Sequence, residues 1–196
     1  SISFRAAIMS YHFWAIGIAL VLAAAAIAGL ITNSVPMLID QGKTLQQAAQ
    51  YAGLIGLSVI SGRLVVGFLV DHFWAPLIAA IFLTAPIFSI YIFSIPAPSI
   101  TMVSLAMIVI GLAAGAELDL LAFLVSRYFG LHDYGKLYGA LYVFFSIGAG
   151  LAPAAFGMAF DHFGNYALVL KTVAIMSAIS GILMLSLGKY PTLKTN

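Results

Sequence analysis

The chain has 196 residues, of which 63% are hydrophobic and 7% charged, with a net charge of +2 and no cysteine. Soluble domains carry about 25% charged residues, so this inventory excludes a water-facing surface and specifies an integral membrane protein. The net charge is too small to imply a nucleic-acid partner, and without cysteine the redox compartment is not readable.

The sequence opens on Ser1 rather than Met, which leaves room for residues ahead of it. Its first apolar run, 13–39, is uncharged and far too long for the core of a cleavable signal. Thr44 and Gln47 form a capping box ahead of the next apolar stretch. Pro76 suits the first turn of a third helix, and the stretch IPAPS at 95–99 divides a long uncharged run in two. About 20 apolar residues cross a bilayer as helix. This predicts six spans, near 12–38, 46–70, 76–95, 99–127, 136–160 and 166–187. Barrel strands would alternate over ~10 residues, and no such alternation is present; backbone in lipid must satisfy its own hydrogen bonds, so helix is the default. With six spans, Arg5, Arg127, Lys136, Lys189 and Lys194 fall on one side, against Lys43 and Lys171 on the other. The bias predicts a multi-pass protein with both termini in the cytoplasm.

GFLVDHFW (67–74) ends the second span, and GMAFDHFG (157–164) ends the fifth, ninety residues later. A unit repeated after three crossings is inverted in the membrane. The expected architecture is one all-α domain, 1–196, built as a 3+3 inverted repeat with units of about 12–95 and 99–187.

Ionisable residues at membrane depth are costly and are functional candidates. Arg63 lies eight residues before Asp71, about 12 Å along the helix and near mid-membrane. Gly56 and Gly67 share its face and leave space beside the guanidinium, whose planar fork matches a carboxylate. Asp119 precedes Arg127 by the same eight residues and is level with Arg63, whereas Glu117 points the opposite way. Depth favours Asp119 as the residue facing Arg63, with Glu117 turned to another helix or a water-filled cavity. Two readings stay open: substrate or proton coupling through Asp119 and Glu117, or a purely structural Arg63–Asp119 pair. Asp71 and Arg127 are expected to form a gating latch at the cytoplasmic ends, unless each is separately solvated. Pro153 lacks the N–H that would tie span five at mid-membrane, so it is either a bending point for gating or a static kink. Tyr138, Tyr142 and Phe145 could line a cavity or simply pack, and Tyr142 is assigned to the substrate. Gly111 and Gly115 allow close helix approach, within the bundle or in a dimer. Lys171 is expected to snorkel to the interface. His12, His72, His132 and His162 all sit at helix ends or in loops, which excludes intramembrane Ser–His catalysis and metal chemistry. No enzyme activity, metal or cofactor is expected. Asn33, Asn165 and Asn196 precede no proline, so an aquaporin-type channel lacks its motif.

GRLVVGFLVD (62–71) is similar to the loop motif of the major facilitator superfamily, with His72 where that motif has arginine. GAGLAPAAFG (148–157) resembles the glycine-proline run of the fifth helix of each half. AELDLLAFLVSRYFG (116–130) followed by YGKLYG (134–139) looks like the tenth helix and next loop of the oxalate/formate and monocarboxylate branch. The resemblance implies the carboxyl-terminal six-helix half of a transporter. In that branch an arginine followed four residues later by glycine binds the substrate anion, which Arg63 and Gly67 match. The branch's aspartate one turn earlier is Val59 here, and its eleventh-helix lysine has no counterpart within span five. The resemblance further implies secondary active transport of a small organic anion, a carboxylate, by symport or exchange. The lipid bilayer and either a missing amino-terminal half or a second copy, as a homodimer, would be its partners. A non-transporting scaffold subunit and a six-helix solute channel are the alternatives.

Overall fold

The computed structural model describes residues 1–193; Lys194, counted above among the cytoplasmic cations, and Asn196 lie outside the described residues. The elements are α1 (Phe4–Ile8), α2 (Tyr11–Asp40), α3 (Leu45–His72), α4 (Ala75–Thr84), α5 (Pro86–Ser94), α6 (Ile100–Phe129), α7 (Tyr134–Phe163) and α8 (Ala167–Leu185). With α4 and α5 taken as one span of 20 residues, six helices are long and apolar enough to cross a membrane. Their bounds agree with the sequence expectation to within a turn.

Local chemistry explains the ends. Ser10, Thr44 and Ser99 cap α2, α3 and α6, each accepting from the backbone N–H three residues on. At α3 the box is reciprocal: Gln47 N–H donates to Thr44 Oγ1 (3.2 Å) and Thr44 N–H to Gln47 Oε1 (3.0 Å). Pro76 sits in the first turn of α4 as expected. Gly164 ends α7 in the left-handed conformation, φ 73°, which glycine adopts without steric cost. Two features depart from the sequence reading. The third span is broken at Ala85, because Pro86 cannot donate into the helical ladder. A short helix, α1, precedes the first span: Ile2 N–H donates to Phe129 O (2.9 Å) and Phe4 N–H to Asp133 Oδ2 (2.7 Å).

The packing is repeated along with the sequence. A Cβ on Gly111 would stand 2.5 Å from Ser58 Cβ and from the Ile55 carbonyl oxygen, and one on Gly115 would enter the Val59 carbonyl. Gly111 and Gly115 therefore serve the α3–α6 crossing inside the bundle, which resolves the choice between bundle and dimer. A Cβ on Gly148 would likewise meet the Val21 carbonyl. Ser58 and Gly148 are ninety residues apart, and so are Val21 and Gly111. The α3–α6 crossing thus recurs as α7–α2. Buried serines follow the same logic: Ser89 Oγ on α5 donates to Ala106 O on α6 (2.7 Å), and Ser180 Oγ on α8 donates to Ala19 O on α2 (2.9 Å). Small residues and interhelical hydrogen bonds are what hold helices together where lipid removes the hydrophobic drive.

Two helices are left poorly covered. α3 and α7 are the least buried of the six spans. The uncovered face of α3 carries Gly56, Ile60, Arg63, Leu64 and Phe68. That of α7 carries Tyr142, Ser146, Ile147, Gly150 and Leu151.

Candidate functional site

Two of the predicted charges, Arg63 on α3 and Asp119 on α6, are exposed. Arg63 is exposed on α3, one turn before Gly67, and a Cβ on Gly67 would meet nothing within 4 Å. Gly67, Asp71, Asp119, Ser126 and Tyr134 line one open groove of about 450 Å³. The groove runs along α6, between α3 and the start of α7. Asp119 is exposed there and close enough to Tyr138 to act on it electrostatically. Among the described residues Arg63 and Asp119 form no ion pair within 4.0 Å, so the permanent structural pair is not present.

Glu117 goes elsewhere. It is 5% exposed, and its Oε1 is buried with no hydrogen-bond partner. Its neighbours along α6, Ala113, Leu120, Leu121 and Leu124, all belong to the apolar core. The two carboxyls, two residues apart, thus occupy opposite environments, as the helical geometry requires.

The structure adds a feature only partly visible in the sequence. Tyr134, Tyr138 and Tyr142 stack in series up α7, with centroids 5.9 and 6.2 Å apart, and Phe145 continues the row 5.5 Å beyond Tyr142. The spacing i, i+4, i+8 is the signal that would have found Tyr134, at the foot of the row, which sequence reasoning missed. Tyr142 is 42% exposed and stands on the uncovered side. Pro153 lies within α7 without interrupting it.

At the end of the bundle Asp71 and Arg127 line a common pocket with His72, Trp74 and Tyr190. They do not form an ion pair there. Arg127 instead lies over the Tyr190 ring, 4.2 Å from its centroid. Tyr190 is itself fixed, since its hydroxyl accepts from the Ala75 N–H (2.8 Å) at the start of α4. Tyr128 Oη donates to Gly188 O (2.6 Å), and His12 Nε2 lies 2.8 Å from Leu187 O. The segment after α8 is thereby tied across the ends of α2, α4 and α6.

Several groups remain outside this arrangement. His12, His72, His132 and His162 stay at helix ends or in loops. Lys171 is exposed near the start of α8 and lines a separate pocket at the far end.

The Major Facilitator Superfamily profile matches residues 2–153. A solved structure of a bacterial homologue of the human lysosomal transporter Spinster, inward-facing and unoccupied, is similar over 89% of this chain, at 18% identity and a TM-score of 0.49. The match covers 44% of that structure's chain, so the present chain spans less than half its length. No curated protein sequence matches. The profile match covers most of the sequence and reaches into the fifth of its six spans: the chain belongs to the Major Facilitator Superfamily.

Proposed function

We propose that the chain is one six-helix half of a secondary transporter, with inverted units of about 12–95 and 99–187, that carries a small carboxylate by alternating access. The observation that carries this reading is the placement of Arg63: a guanidinium at membrane depth, on an uncovered helix face, with no acidic partner within 4.0 Å among the described residues. Such a charge is expensive in lipid and finds its counter-charge in cargo or in an apposed protein surface. The open faces of α3 and α7 are where the second half, or a second copy, would close the pathway. The likeness of Arg63 and Gly67 to the monocarboxylate branch assigns them to the anion.

Asp119, exposed on α6, and Glu117, inside the bundle, are the two candidates for charge compensation or a coupled proton during transport. Tyr142 contributes ring surface to the cargo. Asp71 and Arg127 gate the inner end, where release of Arg127 from Tyr190 would let it reach the carboxylate, and Pro153 is the bending point of span five. The basic residues at the ends of α6 and α7 and after α8 support cytoplasmic termini.

The test is uptake of radiolabelled formate, oxalate and lactate into vesicles containing the purified chain, alone and with a co-expressed amino-terminal half. Uptake that disappears in Arg63→Ala and is partly restored in Arg63→Lys supports the assignment. Uptake by Arg63→Ala equal to that of the parent chain would overturn it, and transport of none of the three by either assembly would favour a scaffold role. Mass in detergent separates a homodimer from a half.

A further inference from the structure

A cleft of about 270 Å³ opens between α7 and α8, with Val21 and Ala25 of α2 at its floor. Ile147, Leu151 and Ala155 line it from α7, and Val169, Thr172 and Val173 from α8. It flanks the middle of α7, on either side of Pro153 along the chain. Every lining residue but Thr172 is apolar, and the Thr172 hydroxyl is spent on its own helix, donating to Leu168 O (2.9 Å). Among the described residues no side-chain hydrogen bond crosses the cleft, so nothing polar fixes the separation of its walls.

The ninety-residue repeat shows that the crossing does not require this space. In the first unit Phe82 stands where Thr172 stands in the second, and Val65 where Ala155 stands. Phe82 is 9% exposed and belongs to the core that holds Val66 and Val70 of α3. Thr172 and Ala155 are exposed. The counterpart of Pro153 is Arg63, which leaves the hydrogen-bond ladder of α3 complete. One unit thus pairs a proline with small side chains beside it, and the other pairs an unbroken ladder with a buried phenylalanine.

The direction of a bend follows from helical geometry. Pro153 lacks the N–H that would bond the Ala149 carbonyl, and a proline ring crowds the carbonyl four residues before it. The helix therefore opens on the side that Ala149 and Pro153 share. Leu151 and Ala155 each stand two residues from Pro153, about 200° around the helix. Bending at Pro153 closes α7 toward them, into the cleft. Lipid chains give way to a moving helix, whereas a ring rooted on α8 does not.

We propose that the cleft is the space into which α7 bends at Pro153, kept free by the small side chains of Thr172 and Ala155. The proposal rests on the reading of Pro153 as a bending point of the gate. Phe163 lies ten residues beyond Pro153, about 15 Å along the helix. A bend of about 20° there displaces Phe163 by about 5 Å.

The chain has no cysteine, so spin labels at Leu45→Cys and Phe163→Cys, both exposed positions, report the separation of the outer ends of α3 and α7. Pulsed electron paramagnetic resonance on the doubly labelled chain in lipid nanodiscs is expected to show two populations, up to about 5 Å apart. The bent population is the one lost in Pro153→Ala. Thr172→Phe should remove it as well, and Ala155→Val should reduce it. Thr172→Ala, which loses the hydroxyl but keeps the space, should retain it in full. Melting of each variant shows whether it folds, and the two filling substitutions lie on different helices. A bent population as large as the parent's in Thr172→Phe, or in Ala155→Val where Thr172→Phe does not fold, overturns the proposal and leaves the hinge standing. A single population in the parent, unchanged in Pro153→Ala, overturns the hinge and the proposal together.

Discussion

Glycine has two distinct uses in this bundle, and one substitution made at two places separates them. Gly115→Ala would put a methyl group into the Val59 carbonyl of α3, with backbone carbon and Cα of Val59 2.9 and 3.1 Å away. Backbone cannot turn aside as a side chain can, so the two helices must separate. Gly67→Ala, on the neighbouring helix, would meet nothing within 4 Å. Both variants gain the same helix-forming advantage, about 0.5–1 kcal/mol. Only the first incurs the cost of overpacking, about 1–3 kcal/mol. The shared term cancels, so the variants should differ by about 1–3 kcal/mol, with Gly115→Ala the less stable. Reversible unfolding in mixed micelles, by titration with dodecyl sulfate and helical circular dichroism, measures the difference. Equal stabilities, or a more severe loss at Gly67, would refute the assignment of Gly111 and Gly115 to the α3–α6 crossing.

The strap after α8 makes its own prediction in the same assay. Tyr190→Phe removes the hydrogen bond from the Ala75 N–H and should cost about 0.5–1.5 kcal/mol. Tyr190→Ala also removes the ring beneath Arg127 and should cost about 0.5–1 kcal/mol more; identical values for the two would show that the ring contributes nothing. Asp133 predicts a pH dependence for the N-terminal segment. Its carboxyl is held below the ordinary aspartate value, first by the Phe4 N–H and then by Lys136. A lowered folded-state value means that the contribution is complete above the unfolded-state pKa, about 3.9, and is lost as pH falls through the folded value. Protection of the amides of residues 2–8, their exchange rate relative to that of unstructured chain at the same pH, should therefore hold from pH 7 to about pH 4, fall below it, and be low at pH 7 in Asp133→Ala.

The spans are legible in the sequence because apolar length and capping chemistry are local. Thr44 and Gln47 announce a helix start without any knowledge of what packs on it. The inverted repeat is legible from one phrase, because like residues close two helices, although the turns themselves differ: Phe73 is extended and Gly164 left-handed. The break at Pro86 is also written locally, yet an apolar run of the right length reads as one helix whether or not a backbone donor is absent. The site is harder to read. Helical geometry sends Glu117 and Asp119 to opposite sides, but which side meets the core depends on the crossing at Gly111 and Gly115. The partner of Arg127 escapes sequence reasoning for a related reason. Tyr190 comes after the last helix and reaches back only because Gly188 and Leu187 are tied to Tyr128 and His12, contacts between residues 60 and 175 positions apart.

The repeat also separates what the fold requires from what it merely carries. Positions ninety residues apart serve equivalent crossings: Ser58 and Gly148, Val21 and Gly111. Asp71 and His72 recur as Asp161 and His162. The membrane charges do not recur. On the same offset Arg63 corresponds to Pro153, Asp119 to Gly29, Glu117 to Ile27 and Arg127 to Met37. Each unit therefore folds and crosses its partner helix with a charge at these places in one case and without it in the other. If the crossing needed an ion at Arg63 or Asp119, its counterpart at Pro153 or Gly29 would lack what it needs, yet both crossings form. Packing sets the glycines and serines and gives Arg127 its place over the Tyr190 ring, but it leaves Arg63 and Asp119 unexplained. Under the proposed function, a cation that the architecture does without serves something outside the half-bundle. Arg63, on the open face and unpaired among the described residues, is placed to meet it.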